Sequence, residues 1–228
     1  MLCEALRNTG LAGNPDEYFG PMHVERWCRL WQPESPSDYI HHVIREGMGG
    51  TSVWGGKVMR LYWGNFIGYL RTVTPKNYSE KELLDAFFPE LKFIFITRRD
   101  KVRQGVSWLK FIQGMAWYWE SDTPQVLPDM EFKPDVIRDF IHQTALHEAA
   151  WLRFFQQNGI TPKIVVYEDL ATRYEATALE VLDFLGIDVQ EKLVFRPRKL
   201  KRQADGLTEE WVNRYLDLHR ESESMGEP

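Results

Sequence analysis

The stretch Lys92-Phe-Ile-Phe-Ile-Thr-Arg98-Arg99-Asp-Lys-Val-Arg103-Gln-Gly-Val-Ser107-Trp decides the fold. Its first half, Phe93 to Ile96, is a short apolar run rich in aromatic and β-branched residues, which predicts a strand buried on both faces. After the charged turn, apolar residues recur at the spacing of a helix: Val102, Val106, Leu109 and Ile112. A buried strand that leads through a turn into a helix is half of a βαβ unit.

The turn in this stretch has the charge expected of an anion site. Ligands of open α/β sheets bind outside the carboxyl ends of the strands, and a helix start offers free backbone N–H groups. Arg99 and Ser107 lie eight residues apart, with the serine about two turns into the helix. Whether both reach one ligand depends on how strand and helix cross. An exposed basic turn that simply ends a strand remains an equal alternative on spacing alone.

Hydrophobic periodicity and turn residues predict the other elements. Strands are expected at 51–59, 92–97 and 163–167. Helices are expected at 2–8, 22–32, from a cap at Ser37, at 79–88, from about 99 to 120, and at 134–157, 174–185 and 208–218; residues 62–70 fit either helix or loop. Strands separated by helices predict an α/β fold, with a mostly parallel central sheet and helices on both faces. Residues 1–228 are read as one domain, with a surface loop or lid at 121–134 and a disordered tail at 220–228.

Composition excludes several classes of protein. A net charge of −5 argues against general affinity for nucleic acid or anionic membranes. Two cysteines make no disulfide framework, so we expect a reducing compartment, the cytoplasm. No apolar run approaches the ~20 residues of a membrane span, and no signal peptide is visible. His142 and His147 are five residues apart, which is off the spacing of a zinc helix, so we expect no metal site.

Five collinear motifs together resemble one family. Arginine followed by Val-Ser at an eight-residue offset resembles the 3′-phosphate-binding motif of sulfotransferases that use 3′-phosphoadenosine 5′-phosphosulfate (PAPS). The others, at 2–19, 53–59, 166–170 and 202–215, look like the bacterial trehalose 2-sulfotransferase type. The resemblance runs over nearly the whole length in the family's order, and it implies the three-layer sulfotransferase fold, related to P-loop proteins.

The resemblance also implies roles for individual residues. Glu17 matches the glutamate proposed as the base that takes the proton of the acceptor hydroxyl, whereas Asp16 is in the wrong register. Arg99 and Ser107 would bind the 3′-phosphate of PAPS. In the family a basic segment closes over that phosphate, and Arg202 and Lys201 lie in the matching segment here. Arg202 is the first candidate for this contact and Lys201 the second.

Lys57 is a separate candidate for a residue that binds the donor, because it interrupts the apolar run of the strand predicted at 51–59. A lysine that snorkels from a strand end is the common explanation. The functional explanation is that Lys57 contacts a sulfate or phosphate oxygen of the donor. The sequence leaves both open.

The first helix begins at the initiator methionine, with no strand before it. In the family a strand and a Gly/Ser/Thr-rich loop precede this helix, and the loop binds the 5′-phosphosulfate. The sequence contains neither piece, nor any Walker-type loop, which disfavours a kinase. We therefore expect a chain without the first strand of its sheet, with neighbouring strands about 10 Å apart where that strand would lie.

The function predicted from this sequence is transfer of a sulfuryl group from PAPS to a sugar hydroxyl, with the trehalose 2-OH as the implied acceptor. The product would belong to sulfolipid biosynthesis, no metal is expected, and the family suggests a homodimer. The alternative is a non-catalytic truncated remnant that binds a nucleotide or a sugar without transfer. The missing phosphosulfate loop supports that alternative.

Overall fold

The structure is a computed structural model that describes residues 1–74, 77–114, 130–189, 193–196 and 206–224, with side chains up to 220. These residues form helices α1 (Leu2–Thr9), α2 (Pro21–Trp31), α3 (Pro36–Met48), α4 (Trp63–Thr72), α5 (Glu80–Phe87), α6 (Lys101–Gln113), α7 (Pro134–Gln157), α8 (Tyr167–Thr172), α9 (Tyr174–Leu185) and α10 (Gly206–Ser224). The strands are β1 (Ile94–Thr97) and β2 (Lys163–Val166), and a 3-10 turn covers Arg60–Tyr62.

The two strands form a parallel sheet whose register runs from Ile94 opposite Lys163 to Thr97 opposite Val166. The predicted α/β class with a parallel sheet is confirmed, although the sheet of the described residues has only two strands. Because β1 and β2 are hydrogen-bonded neighbours, the predicted gap of about 10 Å does not lie between them.

The strand predicted at 51–59 is wrong. Within the described residues this segment makes one isolated parallel bridge, between Asp16 and Gly56. Gly55 and Gly56 weaken any strand here. Trp54 points into the molecule instead, where its indole N–H donates to the Val43 carbonyl at 3.2 Å.

The prediction that β1 is buried on both faces is also wrong. Phe95 is buried, but Ile96 is 42% exposed, and in β2 Val165 is buried whereas Ile164 is 56% exposed. Because Phe95 lies opposite Ile164 and Ile96 lies opposite Val165, each face of the described sheet carries one buried and one largely exposed side chain.

Several element ends differ from those predicted. The N-cap of α3 is Ser35, whose hydroxyl accepts from the Asp38 N–H, because Pro36 takes the first helical position; Ser37 is not the cap. Helix α6 ends at Gln113 and not near residue 120, and residues 115–129, which include most of the predicted lid, lie outside the described residues. Helix α10 continues to Ser224, into the predicted tail.

The described chain divides into two compact units. One contains α1 to α5, both strands, α8, α9 and the end of α7 from Ala150. Its core is mainly aromatic and includes Tyr18, Phe19, Trp27, Tyr39, Phe66, Leu83, Phe88 and Phe155. The other unit contains α6, α7 up to Ala149 and α10, packed around Val106, Leu109, Ile137, Trp211 and Tyr215. That residues 1–228 act as one domain stays a prediction.

Candidate active site

The loop after α1 is held in a fixed shape that carries Glu17. Arg7 donates to the Asp16 carboxylate and to the Pro15 carbonyl, both at 3.3 Å. The other oxygen of Asp16 accepts the Glu17 N–H at 2.7 Å. The Trp27 indole N–H donates to the Glu17 carbonyl at 3.0 Å. The backbone of Glu17 is therefore fixed on both sides.

The segment at 53–57 runs beside this loop. The Lys57 N–H donates to the Asp16 carbonyl at 2.8 Å, next to the Asp16–Gly56 bridge. At the start of the loop, the Asn14 N–H and the Gly55 N–H both donate to the Gly47 carbonyl, at 2.8 and 3.0 Å. These backbone contacts bring Lys57 next to Glu17 although the two lie 40 residues apart in the chain.

The Glu17 carboxylate has a basic partner at each oxygen. Lys57 Nζ donates to Oε1. His23 Nε2 lies 3.0 Å from Oε2. The Glu17 and His23 side chains are each only 13% exposed, whereas Lys57 is 45% exposed. The structure thus joins Glu17 and Lys57, which the sequence singled out separately, and adds His23.

Two opposing effects set the ionisation of Glu17. Burial favours the neutral acid, but the hydrogen bond from His23 and the charge of Lys57 outweigh it and lower the pKa of Glu17 from 4.5 to about 2. Burial likewise opposes the charge on Lys57, yet the carboxylate of Glu17 prevails and raises the pKa of Lys57. At neutral pH the pair is an anion and a cation in contact.

This arrangement can do two kinds of chemistry. A carboxylate with limited access to water can accept a proton from a hydroxyl placed against it. An ammonium group that is nearly half exposed can bind an incoming anion, such as an oxygen of a sulfuryl group. Both groups converge on one point of the surface.

Arg99 and Ser107 lie in the other unit, around the start of α6. Asp100 is the N-cap, and its Oδ1 accepts the Arg103 N–H at 2.8 Å. Arg99, just before the cap, is exposed, and Ser107, two turns into the helix, is partly exposed. Arg103 has protein partners, because it donates to Asp100 at 3.1 Å and forms a two-point contact with Glu209. The 3′-phosphate role of Arg99 and Ser107 stays a prediction.

The remaining predicted site residues, Lys201 and Arg202, lie outside the described residues. Among the side chains that the structure does describe, no three His, Cys, Asp or Glu residues gather as metal ligands would. No described helix is long and apolar enough to cross a bilayer.

Sequence reasoning missed His23. It follows Glu17 by six residues across the Gly20-Pro21 break between loop and helix, so no helix or strand period links the two. Nothing in the local sequence separates it from any other histidine near a helix start.

Comparison with known proteins shows which family the chain belongs to. The family model of the Stf0 sulphotransferases matches residues 1–217. A trehalose 2-sulfotransferase of Mycobacterium tuberculosis is 28% identical over 223 residues, which cover 92% of this chain and 81% of that protein. A trehalose 2-sulfotransferase of Mycolicibacterium smegmatis is 29% identical over 244 residues, which cover 94% of this chain and 89% of that protein. The chain is therefore a member of the Stf0 sulphotransferase family, and the sulfotransferase class predicted from its sequence is confirmed.

Proposed function

We propose that the chain transfers a sulfuryl group from PAPS to a hydroxyl of a sugar, the 2-OH of trehalose. Membership of the family supports the reaction type, and the names of the two relatives support the acceptor. The observation that carries the proposal is the Glu17 carboxylate, which is largely buried, ionised and in contact with Lys57.

In the proposed reaction the sugar oxygen forms a bond to sulfur while the bond from sulfur to the phosphosulfate bridging oxygen breaks. The hydroxyl proton moves to Glu17, and the electron pair of the broken bond stays on the departing nucleotide phosphate. An in-line transfer of this kind needs mainly positioning and charge stabilisation. Basic side chains and backbone donors supply both.

Lys57 would link the base to the donor. While Lys57 contacts Glu17, the low pKa of Glu17 makes it a weak base. If the sulfuryl oxygens of the donor draw Lys57 away, part of the charge that lowers this pKa leaves with it, so Glu17 becomes a stronger base when the donor is bound. The partly exposed ammonium of Lys57 fits such an exchange.

The nucleotide end of PAPS would be held by Arg99 and Ser107 through the 3′-phosphate, with Arg202 and Lys201 closing over it. An exposed arginine beside a helix N-terminus suits a phosphate group. A homodimer and a place in sulfolipid biosynthesis remain predictions of the resemblance, and a cytoplasmic location and the absence of a metal remain predictions from the residues themselves.

The test is a transfer assay with PAPS and trehalose, with the product identified by mass spectrometry. Glu17→Gln should lower kcat at least about 100-fold, the lower range for loss of a general base. Calorimetry with the desulfonated nucleotide should give wild-type affinity for this variant. Glu25→Gln is the control, since Glu25 is an exposed carboxylate on α2 that pairs with Arg29 at the surface.

The outcomes separate the two candidate functions. Wild-type turnover in Glu17→Gln would remove this residue from the mechanism. Nucleotide binding by the wild-type protein without any transfer, to trehalose or to other sugars, would instead favour the non-catalytic alternative.

A further inference from the structure

His23 contacts the oxygen of the Glu17 carboxylate that Lys57 does not contact. It is the third residue of α2, whose start at Pro21 follows the loop that carries Glu17. Its Nε2 lies 3.0 Å from Oε2 of Glu17, and its side chain is 13% exposed. The hydrogen bond from His23 is also the largest single influence that lowers the pKa of Glu17.

The ring of His23 packs against a glycine. A Cβ atom added at Gly20 would lie 2.8 Å from Cδ2 of His23 and 3.0 Å from the nearest ring carbon of Tyr62. The backbone of Gly20, with φ −70° and ψ 144°, is one that any residue adopts. An added Cβ atom would therefore press on the rings of His23 and Tyr62, which occupy the space that Gly20 leaves.

The two partners of Glu17 differ in how firmly they can hold it. Lys57 reaches Oε1 through a flexible four-carbon stem and is 45% exposed, so an anion can draw it away. The His23 ring has two rotatable bonds and little contact with water. The backbone of Glu17 is fixed, but its side chain has three rotatable bonds of its own, which need a partner that stays in place.

We propose that His23 is a positioning residue: it holds Oε2 of Glu17 so that Oε1 faces the acceptor hydroxyl after Lys57 has turned to the donor. This inference rests on the proposed function, in which Glu17 is the base. His23 acts through Glu17 and does not touch the substrate. Its contribution is geometric, since a displacement of about 1 Å of a catalytic group can cost about 100-fold in rate.

A pair of amide substitutions tests this directly. The Nε2 of glutamine occupies the place of histidine Nε2 along the side chain, whereas the amide nitrogen of asparagine corresponds to Nδ1. His23→Gln should therefore keep kcat near that of the wild type, while His23→Asn should lower kcat by about 30- to 100-fold. KM for PAPS should not change in either variant. His41→Gln, at an exposed position on α3, is the matched control.

Gly20→Ala approaches the same contact without altering His23. The added methyl group should displace the His23 ring and lower kcat as His23→Asn does, again without a change in KM for PAPS. Gly64→Ala is the control, because a Cβ atom at Gly64 meets nothing within 4 Å. Thermal unfolding of every variant shows whether a loss of turnover reflects a loss of fold.

A second measurement needs no donor and no turnover. In the ligand-free protein, carbon-13 NMR of labelled glutamate carboxyl groups follows the titration of Glu17. The pKa of Glu17 should rise in His23→Asn and in Gly20→Ala, and it should rise less in His23→Gln. An unchanged titration in all three variants would show that His23 does not hold Glu17.

The proposal fails if His23→Gln and His23→Asn lose the same turnover, or if His23→Asn keeps the wild-type kcat. Failure of the proposed function looks different, because Glu17→Gln would then keep its turnover, or the wild-type protein would transfer nothing. In that case the NMR titration still decides whether His23 holds the Glu17 carboxylate.

Discussion

Acid should remove a defined part of this protein's stability through Glu17. The folded protein lowers the pKa of Glu17 from 4.5 to about 2. A depressed carboxyl pKa stabilises the folded state above the unfolded pKa, and this contribution is lost as the pH falls toward the folded value. At 1.36 kcal/mol per pKa unit, the contribution is worth about 3 kcal/mol at neutral pH. The same contact raises the pKa of Lys57, so the two shifts describe one interaction and are not added.

The perturbation is Glu17→Gln, which keeps the shape of the side chain and removes its titration. His23 and Lys57, the basic groups that contact Glu17, are present in both proteins. The difference in free energy of unfolding between wild type and variant therefore isolates the carboxyl group. Of the stabilisation present at pH 7, about 0.8 kcal/mol should be lost by pH 4 and about 2 kcal/mol by pH 3.

The assay is urea unfolding followed by tryptophan fluorescence at pH 7, 5, 4 and 3, with both proteins in the same buffers. Glu25→Gln serves as the control. Between pH 7 and pH 3 the difference in free energy of unfolding between this variant and wild type should change by less than about 0.5 kcal/mol, since exposed ion pairs contribute little. If the difference in free energy of unfolding between wild type and Glu17→Gln stayed constant from pH 7 to pH 3, the reasoning would be refuted. It would mean that Lys57 and His23 do not hold Glu17 in solution.

Two further predictions concern the loop that carries Glu17 and the start of α6. Gly13→Ala should destabilise the protein by about 2–5 kcal/mol, because the added Cβ would lie within 3.0 Å of two backbone carbonyl oxygens at a φ of +69°. Gly10→Ala, with the same φ but open space around it, should cost only about 1–2 kcal/mol in thermal or urea unfolding; equal costs would show that the close approach is absent. Because the proposed site gives Arg99 and Ser107 each a hydrogen bond to the charged 3′-phosphate, Arg99→Ala and Ser107→Ala should each weaken calorimetric binding of the desulfonated nucleotide by about 1.5–3 kcal/mol. Arg153→Ala, at an exposed position on α7, should bind as the wild type does, and unchanged binding in the first two variants would exclude them from the nucleotide site.

Local signals in the sequence were enough for most of the helices. Pro134 and the apolar stripe that ends before Asn158-Gly159 predicted α7 with the bounds that the structure has. Ser79 and Glu82 form a capping box, which the sequence shows as serine followed three residues later by glutamate. The strands at 92–97 and 163–167 were predicted to within two residues, because short β-branched runs between turns carry their own signal.

Where the sequence misled, a tertiary contact had overridden the local pattern. The apolar run at 51–59 satisfies the composition of a strand, yet its Trp54 is used for the core and its glycines allow close packing against the loop at 13–17. The site was predicted in part: Glu17 and Lys57 were singled out for separate reasons, and only the structure shows that they touch.

The sequence by itself determined most of the helices, the two strands, the α/β class and the family, because caps, hydrophobic periods and collinear motifs are written in neighbouring residues. Tertiary structure alone decided the surroundings of Glu17. Lys57 reaches it across 40 residues through backbone hydrogen bonds between two loops, and His23 reaches it from the start of α2, where its ring lies against Gly20. Such contacts depend on how distant backbones approach each other in space, and no local period in the chain encodes that distance.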